Sequence, residues 1–169
     1  MTATSAVSAN GVPTDDPSFV PKLAAGILLY RRAPDRAVPE VLLVLPRSAR
    51  TLASGPRSWS IPKGKPLPNE RLIDTARREF EEETARPAPR GLVELGEIVE
   101  ASGKRVAVWA AHEEWSAAMD SSNGRRLDAE IAEVGWFDAD QAVHLLRPGQ
   151  TALLDRLDRL MRQAPPTTD

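Results

Sequence analysis

Cysteine is absent from the 169 residues, and histidine occurs only at His112 and His144. The first absence excludes disulfides, thiol nucleophiles and zinc–thiolate sites, and the second leaves no multi-histidine metal centre. Long apolar runs are missing too. The longest, around Leu23–Tyr30, is far below the roughly 20 residues that span a bilayer. The opening MTATSAVSANGVPTDDPSFV has neither the basic start nor the apolar stretch of a secretory signal. A soluble, cytoplasmic protein without a membrane partner is the expectation. No sign of charge dominates: 22 Lys+Arg stand against 24 Asp+Glu, a net charge of −2. That balance argues against a generally basic binder of DNA duplexes or membrane surfaces. What is present, 41% apolar and 27% charged residues, is ordinary for a globular domain of this length.

Small and polar residues fill 1–20, and APPTTD closes the chain at 164–169. Both read as disordered tails flanking one domain over 21–163. Within it, Leu23–Arg31 and Val41–Leu45 are short apolar strand candidates, and Trp59–Pro62 is a brief extended segment. Leu72, Ile73, Ala76 and Phe80 recur with helical spacing between Glu70 and Thr84, before Pro87 and Pro89. Gly91–Glu100 and Arg105–His112 read as a hairpin around Ser102-Gly103-Lys104, and Glu133–Phe137 as a further strand. Ala139–Leu146 and Gln150–Arg162 read as helices. Strands, helix, strands, helices is the order of a mixed α+β sandwich.

The helix over 70–84 carries the chemistry. Glu79, Glu82 and Glu83 stand at i, i+3 and i+4 and so share one face. Arg78 lies one turn before Glu82 and can pair with it. Like charges so placed repel by a few tenths of a kcal/mol each, roughly. A divalent cation reverses that sign, and clustered carboxylate oxygens suit Mg²⁺ or Mn²⁺ rather than zinc. Upstream, Pro46–Asn69 holds five basic residues, Arg47, Arg50, Arg57, Lys63 and Lys65, and no acid. The near-neutral total therefore hides a basic segment running into an acidic helix, a pairing suited to a small polyphosphate.

The spacing Gly64, Glu70, Arg78-Glu79-Phe80, Glu82-Glu83 resembles the box of the Nudix hydrolase family. With ordinary composition, so many matches arise by chance on the order of once in 10⁵ sequences. Ala85 and Arg86 replace the closing glycine and apolar residue of the box, and Asn69 stands where a glycine usually precedes the first glutamate. The missing second glycine predicts a different helix exit, through Pro87. Asn69 is a mild change, since asparagine tolerates left-handed backbone.

The resemblance implies an α/β/α sandwich with a mixed sheet and Mg²⁺-dependent hydrolysis of a phosphoanhydride, with Mn²⁺ the alternative ion. It implies Glu79, Glu82, Glu83 and the Gly64 backbone carbonyl as metal ligands, with Arg78 orienting the glutamates. Glu70 would then be structural or outer-shell, and a downstream acid, Glu130 before Glu133, would take the proton. Lys63, Lys65, Arg47, Arg50 and Arg57 would hold the phosphates, with Arg125 and Arg126 weaker candidates. Trp59 reads as packing beside the box, whereas Trp109 and Trp115 could line a base pocket or simply pack. The lead-in Trp59-Ser-Ile-Pro-Lys-Gly64 is similar to members acting on nucleoside triphosphates and dinucleoside polyphosphates. Nucleotide sugars, ADP-ribose or capped RNA are the alternative substrates, and a non-catalytic nucleotide-binding module the alternative role. A homodimer stays open, as the chain carries no interface signature of its own.

Overall fold

Alternation along the first strand sets up two cores at once. In β1 (Leu23–Arg31), Ala24 and Leu28 point to one core, and Ala25, Ile27 and Leu29 to the other. That is what a period of two gives when both faces of a strand are covered. The chain is described here by a computed structural model over residues 22–50, 57–114 and 127–163. The expected tails, Trp115, Arg125, Arg126 and the Arg50 side chain lie outside the described residues.

β1 runs parallel to β5 (Arg105–His112) and antiparallel to β2 (Glu40–Pro46). β4 (Val93–Val99) and β6 (Ile131–Asp138) add antiparallel edges, in the order β4-β5-β1-β2-β6. The β4–β5 turn closes with Gly103 N–H donating to Glu100 O at 2.8 Å and Glu100 N–H to Lys104 O at 2.9 Å. α1 (Leu72–Thr84) buries Ala76 and Phe80 on one face of this sheet. On the other face, α2 (Ala139–Leu145) buries Ala142 and α3 (Ala152–Gln163) buries Leu153 and Leu157. Each such leucine contributes roughly 1.5–3 kcal/mol by leaving water. The result is the expected α/β/α sandwich with a mixed sheet. Among the described residues, no helix is long and apolar enough to cross a membrane.

β1 and β2 pair only at Tyr30–Val41 and Arg31–Glu40. Where they part, the segment 59–64 runs in. Ser60 exchanges backbone bonds with Val44 at 2.8 and 3.0 Å, and Ile27 N–H donates to Pro62 O at 3.1 Å. The two residues of β3 (Lys63–Gly64) then pair with Gly26 and Ala25 of β1. Gly26 permits this approach, because a Cβ there would lie 2.5 Å from Pro62 O and 2.7 Å from Lys63 Cβ. Trp59 packs edge-on against Phe137, with ring centroids 4.6 Å apart, in the core that α2 and α3 cover rather than, as expected, beside the box helix.

The helix exit corrects one expectation. Ala85 does not divert the chain through Pro87. It adopts the left-handed conformation itself, φ 54° and ψ 28°, with its N–H donating to Glu81 O at 3.0 Å. An alanine there costs about 1–2 kcal/mol relative to the right-handed form. Local bonds offset it: Thr84 Oγ1 donates to Phe80 O at 2.6 Å, and Ala88 N–H to Glu81 Oε1 at 2.9 Å. Arg86, in place of the usual apolar residue, pairs with Glu113 and lies over the Trp136 ring at 5.7 Å. Asn69 is left-handed as well, at φ 63°.

Candidate active site

Arg78 organises the acidic face of α1. Its Nε and Nη2 grip both oxygens of Glu70 at 2.9 Å, and its Nη1 reaches Glu79 at 2.8 Å and Glu82 at 3.1 Å. Nη2 also donates to Lys65 O at 2.9 Å, tying the incoming loop to the helix. Glu70 in turn accepts from Leu67 N–H and Thr75 Oγ1, each at 2.9 Å. The Arg78 hydrogen bonds and then the Leu67 amide hold the Glu70 carboxyl at about 2, well below the usual carboxylate range. Glu70 therefore works as a latch between loop and helix.

Glu79 and Glu83 face β3. The Glu79 carboxylate lies so close over Gly64 that a Cβ there would sit 1.9–2.2 Å from its atoms. Only glycine leaves that space open. Glu83 Oε2 accepts from the Lys63 N–H at 2.9 Å. Burial pushes the Glu83 carboxyl up to about 7; the Lys63 amide opposes this, and the Glu79 and Asp128 carboxylates add to it. Burial also raises Glu79, against the pull of Arg78. Asp128 is thus a downstream acid that acts electrostatically on Glu83. Glu130 is exposed, and its backbone carbonyl accepts from Arg47 N–H at 2.6 Å.

The basic residues divide into two groups. Arg47 donates to Ala129 O at 2.9 Å and Ile131 O at 3.1 Å, and Arg57 to Val143 O at 2.8 Å, so both bind backbone carbonyls. Lys63 and Lys65 meet the helix through their backbone, the Lys63 amide at Glu83 and the Lys65 carbonyl at Arg78, while the Lys63 ammonium is taken by another acid. Lys63 Nζ lies 3.2 Å from Glu100 Oε1, an acid that sequence reasoning passed over. The fully buried Gln150 donates to Glu100 Oε1 and Ser60 Oγ, and accepts from Ile61 N–H, each at 2.9 Å. Burial alone would raise the Glu100 carboxyl, but Lys63, Gln150 and Lys104 bring it below its usual value. Nothing local marks Glu100 or Gln150. One follows the last residue of β4 and the other ends a 3₁₀ turn, Pro148–Gln150, 50 residues apart.

Among the described residues no three carboxylate or imidazole groups converge on one point, since Arg78 draws Glu79 and Glu82 and the Lys63 amide takes Glu83. The donor set nonetheless fits a hard divalent cation. It is all oxygen, from three carboxylates of one helix, and the open backbone of Gly64 lies against one of them.

A family model described as NUDIX domain matches residues 20–157. No curated protein matches the chain. Solved structures do. An Ap4A hydrolase binary complex from C. elegans superposes with a TM-score of 0.62 at 22% identity, covering 83% of this chain and 99% of that one. The NUDIX domain of Shewanella oneidensis NrtR complexed with ADP ribose gives 0.64 at 18% identity, covering 88% and 94%. The Nudix hydrolase RenU from M. smegmatis gives 0.60 at 24% identity, covering 96% and 97%. At these identities the structural likeness speaks for the fold. The family match spans most of the chain and includes every box residue, from Gly64 to Glu83. The chain belongs to the NUDIX domain family, whose hydrolases cleave phosphoanhydrides.

Proposed function

We propose that the chain is a Mg²⁺-dependent pyrophosphohydrolase cleaving a phosphoanhydride of a nucleoside triphosphate or dinucleoside polyphosphate by in-line attack of water. The observation that carries this reading is the seating of the Glu79 carboxylate on Gly64 beside Glu83, with Lys63 and Lys65 flanking that glycine. Glu79, Glu82, Glu83 and the Gly64 carbonyl would hold the ion, Mn²⁺ serving in place of Mg²⁺. The bound ion would supply charge neutralisation at the phosphoryl oxygens and a lowered pKa of water. Arg78 orients Glu79 and Glu82, and Glu70 fixes Arg78 in turn. Lys63 and Lys65 grip the phosphates. Asp128, whose Oδ1 accepts from the Glu130 N–H at 2.7 Å, joins Glu130 as a candidate to accept the proton.

The test is a screen of purified protein with Mg²⁺ against nucleoside triphosphates, dinucleoside polyphosphates, nucleotide sugars, ADP-ribose and capped RNA, with products identified by mass. Glu83→Gln should keep the fold and lose Mg²⁺-dependent turnover by orders of magnitude. Near-full activity in that variant would overturn the metal assignment. Turnover confined to a sugar or capped substrate would move the chain to another branch of the family. Nucleotide binding without turnover would make it a binding module.

A further inference from the structure

A cavity of about 420 Å³ is walled by Ser48-Ala49, Arg57-Ser58, the hairpin turn at Glu100–Ser102 and the turn at Arg147–Gly149. Its size falls within the ~300–1,000 Å³ of small-molecule sites. Lys63 joins it to α1. The Lys63 amide binds Glu83 at 2.9 Å, and its ammonium lies 3.2 Å from Glu100, which forms part of the cavity wall. Glu100 is the acid among the described lining residues, and Lys63 and Gln150 already engage it.

The cations outnumber it. Arg147 is held by its backbone, which donates to Trp59 O at 3.0 Å. Among the described residues its guanidinium has no hydrogen-bond or ion-pair partner. Lys104, next to the hairpin turn, feels the positive charges of Lys63, Lys65 and Arg147. Arg57 and Arg147 line the cavity itself, with the charges of Lys63, Lys65 and Lys104 close by, against one carboxylate that Lys63 and Gln150 already satisfy. That excess attracts anions and discriminates by their charge. Arg57, partly engaged by Val143 O, lines the same wall.

We propose that this cavity receives the far end of an extended phosphate chain, with Arg147 as its specificity-determining cation. The inference rests on the reading of α1 given above and deepens it. One phosphoanhydride lies at the glutamates, and the phosphates beyond it run past Lys63 into the cavity. Nucleotides with long phosphate chains are then the preferred class, because a two-phosphate link places little charge beyond Lys63.

Arg147→Gln tests this in the intact protein. For a dinucleoside tetraphosphate, kcat/KM should fall on the order of tenfold or more through KM, and the loss for ADP-ribose should be at least tenfold smaller. Ser102→Glu, at an exposed turn position on the rim, should produce the same bias without touching the core. Titration calorimetry with inorganic tripolyphosphate in metal-free buffer supplies a readout independent of turnover. Binding to the wild type that weakens in both variants supports the subsite. Equal losses on long and short substrates, or tripolyphosphate binding that neither variant changes, would overturn it. If no nucleotide is hydrolysed by the wild type but tripolyphosphate binding still depends on Arg147, the hydrolase reading fails and the subsite stands. Tripolyphosphate bound far more tightly than any nucleotide would point to inorganic polyphosphate as the source of the chain.

Discussion

Helices α1 and α3 cover opposite faces of one sheet and are nearly equal in length, 13 and 12 residues. They treat charge in opposite ways. In α3 each aspartate is followed four residues later by an arginine, and Asp158 and Arg162 meet at 2.8 Å. Its remaining arginine, Arg156, reaches back to the carbonyls of Leu95 and Glu97. In α1, four glutamates crowd into residues 79–83, and Arg78 is the cation that binds two of them. The packing helix α3 holds two aspartates against three arginines, close to balance. α1 leaves the balance of its carboxylates to Arg78 and to the Lys63 amide of the neighbouring loop.

The comparison breaks most sharply at one residue on each helix. Leu157→Ala should cost about 2–5 kcal/mol in denaturant unfolding, with kcat/KM of the folded fraction unchanged within about twofold. Glu83→Gln should do the reverse and lose turnover without lowering the melting temperature. If Leu157→Ala removed activity from a folded protein, the division of labour between the two layers would be wrong.

A smaller effect sharpens the contrast at the end of α1. Ala85→Gly should stabilise the protein by roughly 0.5–1 kcal/mol, because glycine adopts the left-handed exit without strain while gaining freedom in the unfolded chain. Equal or lower stability would mean that the bonds around Ala85 carry more than its backbone strain. The smallest effect concerns acid. The Glu70 carboxyl sits at about 2 in the folded protein, below its unfolded value near 4.5. Its stabilisation is complete above the unfolded value and fades as pH falls from there toward 2. Melting temperature should therefore drop more steeply between pH 5 and 2 in the wild type than in Glu70→Gln. Parallel curves would detach Glu70 from stability.

The repetitive elements were legible because their periods are local. β1 and β5 occupy the spans read from apolar runs, and α1 begins two residues after the expected Glu70. Box residues on one helix were legible for the same reason, as spacing alone puts Glu79, Glu82 and Glu83 together. The rest of the site has no local period. Glu100 meets Lys63 and Gln150, with Lys104 and Arg147 near by, only because the β4–β5 hairpin and the turn after α2 end at the same edge of the sandwich. Counting cations within a contiguous stretch found Lys63 and Lys65 but set beside them Arg47 and Arg57, which bind backbone carbonyls. At Ala85 the preference of one residue was outweighed by the hydrogen bonds of its neighbours.

Gly26 bears no charge and faces away from solvent, yet the seat of the glutamates depends on it. Any side chain there would overlap Pro62 and Lys63, at 2.5 and 2.7 Å, and press β3 outward, carrying Gly64 away from Glu79. A saturation survey scored by turnover should therefore rank this hydrogen-sized gap with the carboxylates themselves. A survey of surface chemistry would pass over it, because its contribution is the room it leaves.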